Sequence, residues 1–162
     1  MSPCDHPAAA CWVVIPAYNE SATVRDVAMR ARQQCPYVIV VDDGSTDGTA
    51  GALAGLDVTL LRNEKNLGKA GSLRRGFDHA LAQGATGVIT LDADGQHAPE
   101  EIPLFLTLSL DDPNAFLIGA RRRDQRKTSF WRYSANRVAD FTRYDFFPPE
   151  QARKNRQARR IR

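Results

Sequence analysis

The feature that most limits how this chain can fold is a repeated change of hydrophobic period. Residues 12–16 (WVVIP) form a continuous β-branched run closed by proline, which predicts a buried strand. From Ala22 the period becomes helical: Val24, Val27, Ala28, Ala31 and Cys35 share one face, and Pro36 ends the segment. Residues 37–41 (YVIVV) are a second buried run, followed by the turn-rich 42–48 and a short Ala/Leu-rich helix. Strands are also predicted at 58–61, 88–91 and 116–119. Between them, Gly68 opens a helix carrying Ala70, Leu73, Phe77, Ala80 and Leu81 at helical spacing and ending at Gly84, and Pro99 starts one containing Ile102, Phe105, Leu106 and Leu108. Strands alternating with helices imply an α/β fold whose mainly parallel sheet is covered on both faces.

Such sheets bind ligands beyond the carboxyl ends of their strands. Three polar clusters stand at those ends: residues 16–20 (PAYNE), 42–45 (DDGS) and 92–94 (DAD). They are expected to converge on one crevice. Asp92 and Asp94, one residue apart on extended backbone, point the same way. Hard oxygen ligands of this kind suit Mg²⁺ or Mn²⁺, which keep waters and take substrate phosphates. The bland reading is a solvated acidic loop; His97 reads either as a further ligand or as a loop or cap residue. In 42–48 (DDGSTDG) carboxylates at a strand end can accept hydrogen bonds from a ligand. The bland alternative is a strand-to-helix turn in which Gly44 supplies an unusual backbone angle and Ser45 or Thr46 caps the helix. Both hold if Ser45 and Asp47 are structural and one of Asp42 or Asp43 is functional. Residues 66–71 (NLGKAG) match neither of the common phosphate-loop patterns. Lys69 reads as a phosphate contact or as a solvated helix-start lysine.

Charge divides the chain. Residues 1–120 hold 8 Lys/Arg against 15 Asp/Glu, and residues 121–162 hold 14 against 4. Different roles for the two regions follow. Cys4, Cys11 and Cys35 are odd in number and lack metal-ligand spacing, so reduced thiols are expected. No apolar run approaches the roughly 20 residues that span a bilayer, and residues 1–10 lack a signal-peptide pattern. A cytoplasmic location is the expectation.

With these motifs together, the sequence resembles family 2 glycosyltransferases, particularly the dolichyl- and polyprenyl-phosphate sugar synthase branch. The segments are VVIPAYNE (13–20), VVDDGSTDGT (40–49), NLGKAGSLRRGF (66–77), TLDADGQHAPEEIP (90–103) and the weaker IGAR (118–121). The resemblance implies a GT-A fold, with a Rossmann-like sheet binding a nucleoside diphosphate sugar, UDP- or GDP-linked, and inverting transfer. By position, Pro16, Tyr18 and Glu20 would line the nucleotide pocket and Asp43 would contact the base. Asp92 and Ala93 would face the nucleoside or sugar, with Asp92 and Asp94 as the catalytic acids. Asp94 and Gln96 would hold the metal, and Arg121 would meet the donor phosphates. The acceptor implied is a lipid phosphate at the inner membrane face.

The resemblance sets a donor-binding domain at 12–121, after an extension at 1–11. Residues 122–162 read as a residual helix, around 134–141, and a basic disordered tail. No acceptor-binding motif like that of the family follows Phe141, so an incomplete, truncated domain is expected. Three alternatives stand beside transfer: a donor-binding remnant without turnover, a nucleotidyltransferase, and a basic patch for anionic surfaces. A nucleotidyltransferase would carry a Gly-rich basic loop where this chain has 17–20 (AYNE). The tail lacks a nucleic-acid module, which argues against nucleic acid as partner.

Overall fold

The computed structural model describes residues 11–111, 118–119 and 160–161. Its elements run β1 (Cys11–Ala17), α1 (Val24–Gln34), β2 (Val38–Asp42), α2 (Thr49–Ala52), β3 (Thr59–Arg62), α3 (Gly68–Ala82), β4 (Gly87–Thr90), a 3₁₀ turn (Pro99–Glu101), α4 (Ile102–Asp111), β5 (Ile118–Gly119) and β6 (Arg160–Ile161). The first four strands form one sheet in the order β3-β2-β1-β4, all parallel. This bears out the expected parallel α/β layout. The chain builds outward from β1 to β3, then α3 carries it back across the sheet to β4 on the other side of β1. The strand order therefore reverses at β1/β4, where open α/β sheets place their crevice.

The β-branched runs explain the core. In β1 and β2, Val13, Val14, Ile15, Val38, Ile39, Val40 and Val41 are all buried. Alternation assigns them to opposite faces. Val13, Ile15, Val38 and Val40 cluster with Val24, Val27, Ala28 and Ala31 of α1 and with Ile102 of α4. Val14, Ile39 and Val41 cluster with Ala80, flanked by Leu73 and Phe77 of α3. Both faces of the central strands are thus dry.

Helix α3 keeps Leu73, Phe77 and Ala80 of its expected face against the core, but not Ala70 and Leu81. Its buried line is Ser72, Gly76 and Ala80, spaced four residues apart, while Ala70 and Leu81 are exposed. The reason is distance: a Cβ on Gly76 would collide with Val14 Cγ1 and press on Val41. Small residues let the helix backbone approach the sheet, and Leu73 and Phe77 close its flanks.

The sheet and α1–α3 belong to a unit ending at Thr107, and β5 and β6 belong to a second unit. There, Ile118 and Gly119 pair in parallel with Arg160 and Ile161. The rest of the expected basic tail, and the expected helix around 134–141, lie outside the described residues. Among the described residues no helix is long and apolar enough to cross a membrane.

Candidate functional site

The parallel ladder continues past the strands and brings their ends together. The Asp43 N–H donates to Ala17 O at 2.8 Å, Asn63 N–H to Asp42 O at 2.8 Å, and Leu91 N–H to Val14 O at 3.1 Å. Side chains then lock the loops to one another. Asn19, at φ 55°, gives its N–H to Ser45 Oγ and accepts Thr46 N–H at 3.0 Å. Glu20 N–H meets Thr49 Oγ1 at 2.9 Å. Asp47 accepts the Ser21 and Thr49 N–H groups and the Thr49 hydroxyl. The hydroxyl bond leads these contacts in holding Asp47 well below the usual carboxylate range. Ser45 and Asp47 are therefore structural, but the expected cap is not formed: α2 begins from Gly48 at φ 89° with no side-chain cap, because Ser45 Oγ is turned to the Asn19 N–H. Gly44 sits at φ +72°, with the space its Cβ would need filled by the backbone of Lys65 and Asn66.

A cleft of about 270 Å³ opens at the ends of β1, β2 and β4. Pro16, Tyr18 and Glu20 line it from the first loop, Asp43 from the second, and Asp92, Ala93 and Asp94 from the third. Tyr18 is half exposed, whereas Ala93 is buried. Asn66, Lys69 and Ser72 close the remaining side from the start of α3. Gln96 follows in the third turn but is not among the lining residues, and Arg121 lies outside the described residues.

The two acids after β2 behave differently. Asp42 is wholly buried; Oδ1 accepts the Ser45 N–H at 3.0 Å, and Oδ2 faces Arg62 Nε at 3.3 Å. Asp43 is 3% exposed and borders the cleft. Its Oδ1 accepts Asn63 Nδ2 at 2.7 Å and Leu67 N–H at 2.8 Å. Burial pushes its carboxyl up, but the bonds from Leu67, Asn63, Ser72 and Gly68 outweigh burial and hold it below its ordinary value. Asp43 is thus a buried anion with one oxygen doubly bonded to the protein.

The acids after β4 are more open. Asp92 pairs with Lys69 Nζ at 2.5 Å, and its N–H donates to His97 Nδ1 at 3.0 Å. His97 therefore braces the turn through Nδ1. Asp94 is exposed, and its Oδ1 accepts the Gln96 N–H at 2.9 Å. Among the described residues no group of three or more His, Cys, Asp or Glu side chains converges as a metal cage.

Sequence reading missed Asn63 and Ser72, which surround Asp43. A signal existed for each: Asn63 directly follows a strand, and Ser72 falls in the small-residue line 68, 72, 76, 80. Lys69, which by sequence reads as a phosphate contact or a solvated helix-start lysine, is ion-paired with Asp92.

Comparison with known proteins agrees with this architecture. The chain is 37% identical over 117 residues to polyprenol monophosphomannose synthase of Mycolicibacterium smegmatis, covering 67% of this chain and 44% of that protein. It is 28% identical to UDP-N-acetylglucosamine--dolichyl-phosphate N-acetylglucosaminyltransferase of Methanococcus voltae, over 72% of this chain and 53% of that protein. The chain spans about half the length of the curated relatives it matches. Among solved structures, glucosyl-3-phosphoglycerate synthase of Mycobacterium tuberculosis superposes with TM-score 0.60 at 23% identity, covering 82% of this chain and 52% of that one. The same enzyme in complex with Mn²⁺, UDP-glucose and phosphoglyceric acid superposes at TM-score 0.58 with 23% identity, covering 74% and 46%. The fold is accordingly GT-A. The family model for glycosyl transferase family 2 matches residues 12–160, through the sheet and most of the basic region, and the chain belongs to that family.

Proposed function

We propose that the cleft binds a nucleoside diphosphate sugar and that the whole protein transfers the sugar, with inversion, to a polyprenyl phosphate at a membrane surface. The observation that carries this reading is Asp43: an ionised, acceptor-only carboxylate, buried at the cleft wall beside Pro16 and Tyr18. Such a group suits the ring N–H of uracil or guanine, and adenine presents an unprotonated ring nitrogen on that edge. Pro16 and Tyr18 give the base an apolar bed, and Glu20 closes the pocket. Asp92 and Ala93 take the sugar side; a role for Arg121 toward the donor phosphates rests on the family resemblance alone, since it lies outside the described residues.

The residues present fit a divalent cation. Asp94 offers an exposed carboxylate at the cleft and Gln96 an amide oxygen from the same turn. A two-residue oxygen set suits Mg²⁺ or Mn²⁺, which fill their remaining positions with water and phosphate oxygens. A cation held there would supply positive charge to a departing diphosphate. The chain's own residues do the rest: the turn after β4 orients the sugar, and the Lys69–Asp92 pair keeps a positive charge beside it. A mannose or N-acetylglucosamine donor and a lipid-phosphate acceptor accord with the names of the relatives above.

Calorimetry with UDP, GDP and ADP, each with Mn²⁺ or with chelator, tests the reading. UDP or GDP is expected to bind more tightly than ADP, and more tightly with Mn²⁺. Equal binding of all three nucleotides would sink the donor-site assignment; equal binding in both conditions would remove the metal.

A further inference from the structure

Asn63 is 3% exposed, and both ends of its amide are engaged. Nδ2 donates to Asp43 Oδ1 at 2.7 Å and to Ser72 Oγ at 3.1 Å. Oδ1 accepts from Arg75 Nη1 at 2.5 Å, and the same Nη1 donates to Arg62 O at 2.7 Å. The carboxylate accepts only and the guanidinium donates only, so a single orientation of the amide satisfies both. A flipped amide would set oxygen against oxygen at Asp43 and N–H against N–H at Arg75.

We propose that Arg75, outside the cleft on α3, is a positioning residue for nucleobase recognition, acting through Asn63 on Asp43. The proposal rests on the donor-site reading above. Arg75 anchors on the carbonyl that ends β3 and orients the Asn63 amide. Asn63 and the Leu67 N–H together occupy Asp43 Oδ1. The carboxylate plane is thereby set at the wall of the cleft. Because Asn63 Nδ2 donates to Ser72 Oγ, the Ser72 hydroxyl proton is free to turn to Asp43, which receives a bond from that side chain. The relay runs from an exposed arginine to a buried acid through one amide.

The test uses the purified chain with Arg75→Met, which keeps the apolar stem, and Arg75→Lys, which keeps a cationic donor. Two readouts separate the relay from the function. The first is the side-chain NH₂ signal of Asn63 in ¹H–¹⁵N spectra without ligand, assigned with Asn63→Ser. The second is competition binding of UDP, GDP and ADP. Arg75→Met is expected to shift or broaden the Asn63 signal and to weaken the preferred nucleotide roughly three- to tenfold while leaving ADP unchanged. Arg75→Lys is expected to restore most of both. The exposed position of Arg75 leaves folding intact, which a thermal melt checks. An Asn63 signal unchanged in Arg75→Met overturns the relay. A shifted signal with wild-type nucleotide preference overturns its role in recognition. A wild-type protein that shows no nucleotide preference overturns the donor-site reading, and the proposal with it, even where the Asn63 signal moves.

Discussion

Pairs of acids stand at the carboxyl ends of two parallel strands, Asp42 and Asp43 at β2 and Asp92 and Asp94 beyond β4, yet the fold treats them in opposite ways. Asp42 and Asp43 are buried. Asp43 accepts hydrogen bonds from two different segments, β3's end and the start of α3. Asp92 is one-third exposed and holds a lysine that is itself mostly in water, and Asp94 is exposed and, among the described residues, bonds within its own turn. A buried, oriented carboxylate discriminates among ligands by where their N–H groups lie, because a mismatch leaves it unpaired. An exposed carboxylate has little such leverage but accommodates a hydrated cation. On the proposed reading, the same residue type would read shape at one strand end and charge at the other.

The comparison breaks most severely at Asp43. Asp43→Asn is expected to weaken UDP or GDP, whichever binds better, by about 1.5–3 kcal/mol, or roughly ten- to a hundredfold, with ADP unaffected. Competition binding measures it; an unchanged preference would mean that Asp43 only shapes the turn. Gly76→Ala attacks the same side indirectly. Lifting α3 off Val14 is expected to cost about 1–3 kcal/mol in denaturant unfolding and to disturb Ser72 and Asp43, leaving the turn after β4 intact. A neutral Gly76→Ala would show that the close approach is unnecessary.

At the other strand end, Asp94→Ala is expected to abolish the Mn²⁺-dependent part of nucleotide affinity, roughly tenfold or about 1.4 kcal/mol, while base preference survives. Loss of preference along with the metal effect would show that the two acids do not act separately within the cleft. The smallest effect is expected at Lys69. Lys69→Met removes an exposed pair with Asp92 and should change stability by less than about 1 kcal/mol.

Acid sharpens the contrast further. Asp43 has a folded pKa depressed below its unfolded value of about 3.9, so it contributes stability above that pH and loses it as pH falls through the folded value. Glu100, lowered to about 2 chiefly by its hydrogen bonds from Arg30, acts in the same direction. Stability should therefore drop on acidification below about pH 4. In Asp43→Asn that drop should be shallower, as urea midpoints between pH 5 and pH 2 would reveal.

The parallel α/β fold was legible because period is a local property. Runs such as 12–16 and 37–41 can be satisfied only between two covering layers, and the helical stretches between them supply those layers. Acids at three strand ends were legible too, since strand ends in such sheets share a crevice. Residue type and spacing left Asp42 and Asp43 equivalent, and only the family resemblance singled out Asp43; why the two differ is not local. The difference depends on which way each side chain leaves the strand end and on what meets it from β3 and α3. One meets Arg62 beneath the loop, and the other meets Asn63, Leu67 and the cleft. Helical spacing found Leu73, Phe77 and Ala80 on the core side of α3, but not that Ser72 and Gly76 are its most deeply buried neighbours while Ala70 and Leu81 face out. Hydrophobic periodicity registers what a helix can bury, whereas the distance between two backbones decides what it does bury. That distance, and the hydrogen bonds that join residues 20 or more positions apart, exist only once the sheet has assembled.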